Sequence, residues 1–135
     1  MDERVFDDEM EPDPELNRIT NAVIGAAIAV HRELGPCHLE SAYQRAMEIE
    51  FDHRRISYQR QVPVTLLYRD QVVGEARLDL LVEGKVIVEL KAVETIAPVF
   101  VAQMLSYLKI TKLKLGLILN FNVAVLTKGI RRIAN

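Results

Sequence analysis

Residues 76–91 read ARLDLLVEGKVIVELK, and the register in which this stretch folds back on itself decides the reading of the whole chain. Two runs of aliphatic and β-branched residues flank Glu83-Gly84, the composition of two strands joined by a turn. A two-residue loop would set Val82 against Lys85 and leave both faces mixed. An odd loop sets Val82 against Val86, Leu80 against Val88 and Leu78 against Leu90, which gives one wholly apolar face. Burial selects the odd loop, because a slip of one residue sends an entire apolar set into water. Six aliphatic side chains at roughly 1.5–3 kcal/mol each outweigh any preference for a tighter turn.

The same register has a chemical consequence on the other face, where Asp79 lies across from Glu89 and Lys91 follows two residues on. Opposed Cβ atoms sit about 4.5–5.5 Å apart. Two like charges at about 4 Å cost on the order of 4 kcal/mol at an effective dielectric of about 20. Lys91 can offset part of this, and a hard divalent cation, which takes oxygen ligands, can offset the rest. Asp79, Glu89 and Lys91 read equally well as the decoration of a solvated strand face.

Before the hairpin, the spacing predicts two helices. Asp13-Pro14 supplies an N-cap and a proline at the first helical position. Leu16, Ile19, Val23, Ala26, Ala27, Val30 and Leu34 then recur at three- and four-residue intervals up to Gly35-Pro36, a helix stop. A second helix is expected from about Leu39 to His53, with Leu39, Tyr43, Ala46, Met47 and either Ile49 or Glu50 dividing its inner and outer faces. From about Ile56 the period changes to two. Strands are expected at Val62–Tyr68, Val72–Glu75, Ala76–Val82 and Lys85–Lys91, with turns at Arg69-Asp70 and Glu83-Gly84, and Pro63 fits an edge strand. A helix opening near Ala97-Pro98, a buried strand over Leu115–Phe121 and a short strand around Ala124–Thr127 complete the chain. The order is that of an α+β or mixed α/β domain, without the regular alternation of a doubly wound sheet.

Composition sets the outer limits. The chain has 135 residues, half of them hydrophobic, with one cysteine. That length suits one domain of about 100–150 residues. A lone Cys37 forms no internal disulfide, and no apolar stretch approaches the ~20 residues that cross a bilayer, so the expected setting is cytoplasmic, away from membranes. Residues 1–15 hold eight acids and one base, so the other 120 residues hold 16 bases against 11 acids, a net +5. We therefore expect a disordered acidic leader over residues 1–12 and one mildly basic domain over residues 13–135. A positive surface permits a polyanionic partner without requiring one.

Several segments carry a resemblance: Leu39-Glu40-Ser41-Ala42-Tyr43, Leu78-Asp79-Leu80-Leu81-Val82, Val86-Ile87-Val88-Glu89-Leu90-Lys91-Ala92, Gln103-Met104-Leu105-Ser106-Tyr107-Leu108-Lys109 and Leu119-Asn120-Phe121. Together they resemble the PD-(D/E)XK nuclease superfamily, and within it the GxxExxY proteins, over about residues 16–133. One departure is plain: Cys37 stands where that family name has its glycine.

The resemblance implies a restriction-endonuclease-like fold, a small mixed β-sheet flanked by helices, and a metal-dependent nuclease that hydrolyses nucleic-acid phosphodiesters, with DNA favoured over RNA. It implies that Asp79, Glu89 and the Leu90 carbonyl hold Mg²⁺ or Mn²⁺, with Glu40 as a further acidic ligand. Lys91 is implied to serve the attacking water and the phosphate, and Gln103 and Tyr107, which share a helix face at i and i+4, to line the substrate path. Arg131 and Arg132 read as backbone contacts or as solvated charge. His38 and Cys37 lack ligand spacing or a base and carry no role. No recognition module is visible, so sequence specificity would come from a protein partner or a homo-oligomer. The rival is a catalytically inactive nuclease scaffold that binds nucleic acid or protein. Against it stands the intact set of Glu40, Asp79, Glu89 and Lys91.

Overall fold

The computed structural model describes residues 13–135, so the expected acidic leader lies outside the described residues. Helices α1 (Pro14–Leu34) and α2 (Glu40–Arg54) precede strands β1 (Tyr58–Tyr68), β2 (Gln71–Val82) and β3 (Val86–Lys91). Helix α3 (Pro98–Thr111), β4 (Leu115–Asn120), a 3₁₀ turn (Leu126–Gly129) and β5 (Ile130–Ala134) follow. The five strands form one sheet in chain order, antiparallel except for β3 against β4. Helix α3 is the crossover that this one parallel pair requires. The architecture is α+β with a mixed sheet, as expected.

Local chemistry explains the elements. The Asp13 carboxylate accepts from the N–H groups of Glu15 and Leu16 at 2.9 and 3.2 Å, and Pro14 occupies the first helical turn. Helix α1 stops where Gly35 adopts φ +69°. At the turn after β2, Glu83 and Gly84 both take left-handed φ angles, and three residues separate Val82 from Val86. The odd loop is therefore the one adopted. Arg69 and Asp70, also left-handed, close the two-residue turn between β1 and β2, and Pro63 lies on β1 at the edge of the sheet.

The core has two halves, one on each side of the sheet. Ile19, Val23, Ala26, Ala27, Tyr43, Met47 and Phe51 of α1 and α2 pack on Leu80, Val82, Val86, Val88, Leu90, Leu117 and Leu119. Val101, Met104 and Leu108 of α3 pack on Val64, Leu78, Ile87 and Ile118 from the other side.

Four expectations need correction. Leu78 does not face Leu90. It packs with α3, whereas Leu80, Val82 and Leu90 pack with α1 and α2. The cause is a break in the pleat: β1 pairs Arg60 with Leu80 and then Val62 with Leu78, and between them Gln61 adopts φ +49°, so both strands exchange faces at Gln61 and Asp79. Residues 72–82 form one strand rather than two, because Glu75 and Ala76 pair consecutively with Thr65 and Val64, and the register shift in this ladder falls earlier, between Leu66 and Leu67. Ala124–Thr127 is not a strand. The chain runs there as an irregular loop entering the 3₁₀ turn, and the last strand is Ile130–Ala134, paired with β4. Finally, Leu39 is 77% exposed and lies outside the inner face of α2, where Glu48 is buried instead.

Candidate active site

The β2–β3 ladder pairs Val82 with Val86, Leu81 with Ile87 and Leu80 with Val88, and ends there. Beyond it, side chains take over from main chain. The Asp79 N–H donates to Glu89 Oε2 at 2.9 Å, and the Leu90 N–H donates to Asp79 Oδ2 at 2.8 Å. Each carboxylate thus holds a backbone group of the other strand, and the two acids are clasped together rather than directly paired across the ladder. Exposed carboxylates would be free to swing apart; Glu89 is only 5% exposed and cannot.

The electrostatics follow from that confinement. Burial and then the Asp79 charge push the Glu89 carboxyl up to about 8, against the pull of the Asp79 N–H and of Lys91. Burial also raises Asp79, with the Glu40 charge adding to it, while the Leu90 N–H, Lys91 and a hydrogen bond from Gln61 draw it down. Glu40, the first residue of α2, therefore lies within electrostatic reach of both acids. Lys91 is half-buried, with Nζ 4.3 Å from the centroid of the Phe100 ring of α3. Tyr107 is buried on α3, its phenol raised by burial and then by the charges of Glu89 and Asp79. Gln103, one turn earlier on α3, is exposed.

A cleft of about 350 Å³ opens in front of the pair, lined by Glu40, Ser41, Gln44, Arg45, Glu48, Arg60, Gln61, Asp79 and Leu90. The exchange of faces at Gln61 and Asp79 explains its position. Asp79 stands where the sheet passes from the α2 side to the α3 side, so one carboxylate answers to groups from both. Asn120 fixes the chain just beyond the acids: its side chain accepts from the Val93 N–H and donates to the Val93 carbonyl at 3.1 and 2.8 Å. Tyr43 fixes the start of α2. Its ring stacks on Phe121 with centroids 4.4 Å apart, and its hydroxyl donates to the Gly35 carbonyl and accepts from the His38 N–H.

Sequence reasoning missed three members of this site. Gln44 donates from one amide nitrogen to Glu48 Oε2 at 2.8 Å and to the Asp79 carbonyl at 3.1 Å. Gln61 reaches Asp79, and buried Glu48 anchors Arg45 and Arg60. The signal that could have found two of them is the spacing Glu40, Gln44, Glu48, a polar stripe at four-residue intervals on one side of α2. Arg132 serves a different end: it donates to Asn17 and Thr20 of α1, tying the last strand to the first helix.

The donor set is all oxygen, and two acids held together in a partly apolar setting favour a hard divalent cation. Among the described residues no three His, Cys, Asp or Glu side chains are gathered into a ready-made metal cage. That still fits Mg²⁺, which is typically held by one or two carboxylates and completes its shell with water and substrate phosphate. Among the described residues no helix is long and apolar enough to cross a membrane.

Comparison with known proteins bears on the same residues. The family model of the PD-(D/E)XK nuclease superfamily matches residues 17–133, a span that contains both acids, Lys91 and all the helices that carry the cleft. No curated protein and no solved structure gives a significant match.

Proposed function

The chain belongs to the PD-(D/E)XK nuclease superfamily, and from that premise we propose that it is a cytoplasmic, metal-dependent nuclease acting on DNA in preference to RNA. The observation that carries the reading is the clasp of Asp79 and Glu89, two acids held together with raised proton affinity, Asp79 lining an open cleft and Glu89 buried behind it. An arrangement that serves folding alone would avoid this repulsion, since apolar residues of similar volume would be more stable. Within the superfamily we place the chain with the GxxExxY proteins. In support, Cys37, at the position of that glycine, has φ +75°, a conformation in which glycine is favoured.

In this mechanism Asp79, Glu89 and the Leu90 carbonyl would hold Mg²⁺ or Mn²⁺, and Glu40, whose charge acts on both acids, would be a further acidic ligand. When bound, such a cation polarises the phosphoryl oxygen and lowers the pKa of water. Lys91 keeps its ammonium at the mouth of the pair, where it orients the attacking water and neutralises charge growing on the phosphate. Phe100 limits the swing of that ammonium. Gln103, exposed on α3, and Tyr107, with its phenol close to the acids, border the path of the strand.

The test is incubation of the purified protein with labelled single- and double-stranded DNA and RNA, in Mn²⁺ or in chelator, beside Glu89→Ala. Cleavage is expected only from the wild type with the cation. Equal cleavage by the variant, or in chelator, would remove this site from the reaction.

A further inference from the structure

We infer that Arg45 and Arg60 form a second anion site in the cleft, one that grips a phosphodiester of the substrate strand next to the one cleaved. The inference rests on the nuclease reading and extends it to the part of the cleft that faces the acids. Arg60 Nε lies 3.0 Å from Glu48 Oε2, and Arg45 Nη1 lies 3.4 Å from Glu48 Oε1. Glu48 itself is 4% exposed, whereas the side chains of the two arginines are 60% and 68% exposed. A buried carboxylate thus anchors two guanidinium groups that remain open to solvent, and all three residues line the cleft together with Glu40 and Asp79.

Neutralising one buried carboxylate takes one guanidinium, and Gln44 already donates to the same oxygen as Arg60. The second arginine is surplus to that need. Glu48 stays ionised under this arrangement: burial works to raise its pKa, and the hydrogen bonds from Gln44 and Arg60 outweigh it. The contacts to Glu48 use Nε of Arg60 and one Nη of Arg45, so each planar fork keeps N–H groups facing the cleft, the geometry that suits phosphate oxygens.

Charge balance gives the site its purpose. Among the residues that line the cleft, Glu40, Glu48 and Asp79 face Arg45 and Arg60, three acids against two bases, so the bare cleft repels a polyanion when all are ionised. A divalent cation makes it net +1. Remove the two arginines and it is −1 even with the cation, so the cleft as a whole no longer attracts a phosphate backbone. Gln44 also couples the two halves, because the amide that holds Glu48 bonds the Asp79 carbonyl as well. The phosphate grip is therefore fixed relative to the reacting centre.

The experiment measures binding of a fluorescein-labelled DNA duplex and of its single strand by anisotropy in Ca²⁺, across KCl from about 50 to about 200 mM. The proteins are the wild type, Arg45→Gln and the double variant Arg45→Gln/Arg60→Gln. Each lost phosphate contact should flatten the slope of log K against log[salt] by about 0.9 for duplex and about 0.7 for single strand. The rise in melting temperature caused by Mn²⁺ should be the same in all three proteins. If the double variant does not fold, Arg45→Gln decides alone, since Arg60 and Gln44 still hold Glu48. A wild type that binds with a slope shared by Arg45→Gln overturns the phosphate grip and leaves the nuclease reading intact. A wild type that binds neither DNA form overturns both.

Discussion

Glu89→Gln is the substitution that most directly exposes the strain in the clasp. Moving the Glu89 carboxyl from 4.5 to about 8, at about 1.4 kcal/mol per pH unit, means that ionising it in the fold costs about 5 kcal/mol more than in the unfolded chain. The sign follows from proton counting. Between 4.5 and about 8 the unfolded Glu89 has lost its proton and the folded one keeps it, so stability falls as pH rises through that window. Below 4.5 the contribution is fully present; above about 8 it is gone. Asp79, also raised, acts in the same direction. Glu48 and Glu83, whose pKa values are lowered, have the opposite sign and lose their contribution only in acid, below the window. Glutamine keeps the size of the side chain and an oxygen for the Asp79 N–H, yet cannot ionise. In chelator at pH 9, Glu89→Gln should therefore exceed the wild type by up to about 5 kcal/mol, a large share of the 5–15 kcal/mol that holds a typical domain. With a urea slope of about 2 kcal/mol/M, the midpoint rises by roughly 2–3 M. At pH 5 the two proteins should nearly coincide. Parallel midpoint curves from pH 5 to pH 9 would refute the claim that Glu89 is confined as a proton-holding acid.

Other perturbations probe neighbouring parts of the same argument. Saturating Mn²⁺ at pH 8 should raise the melting temperature of the wild type but not of Asp79→Ala, and at a hundredfold excess over Kd the gain is about 2.7 kcal/mol; equal shifts in both proteins would place the cation elsewhere. Lys91→Ala should abolish hydrolysis while the Mn²⁺-induced rise in melting temperature persists, and retained cleavage would remove Lys91 from the chemistry. Cys37→Gly should raise stability by about 0.5–1 kcal/mol, the left-handed penalty of a side chain at φ +75° less the chain entropy of glycine, read as a urea midpoint. Gly116→Ala should lower stability by at least about 1 kcal/mol, because a Cβ there would overlap the Met104 thioether of α3.

The parts of the fold legible in sequence are those fixed by burial of a long apolar pattern. Helix α1 declares its cap, its stripe and its stop between Asp13 and Gly35, and the whole element depends on residues adjacent in the chain. The turn after β2 was legible for a related reason: Val82, Leu80, Val86 and Val88 can share a face in only one register, and the alternative forfeits several buried side chains. The short strand expected at Ala124–Thr127 failed because four residues carry too little pattern to separate a strand from a loop. The strand beyond it, Ile130–Ala134, alternates poorly since Arg132 is engaged with Asn17 and Thr20.

What stayed hidden is the feature on which the site depends. Period-two reasoning assumes an unbroken pleat, and under that assumption Leu78 belongs with Leu80 and Asp79 sits squarely opposite Glu89. The pleat breaks at Gln61, a residue of β1 whose left-handed φ nothing in its own type announces, and the break is shared with Asp79 on β2. Leu78 loses nothing by turning over, because α3 covers it as fully as α1 and α2 cover Leu80. Asp79 gains a position between two layers, and the ladder hydrogen bonds given up beyond Leu80 are recovered by the two carboxylates themselves. The acids therefore satisfy the backbone where the strands part, and on the nuclease reading they serve the reaction as well. Replacing either one by alanine strips a partner from a backbone N–H as well as a charge from the site. Glutamine and asparagine, which keep an oxygen for that N–H, are for this reason the substitutions that separate the chemistry of the pair from its part in the fold.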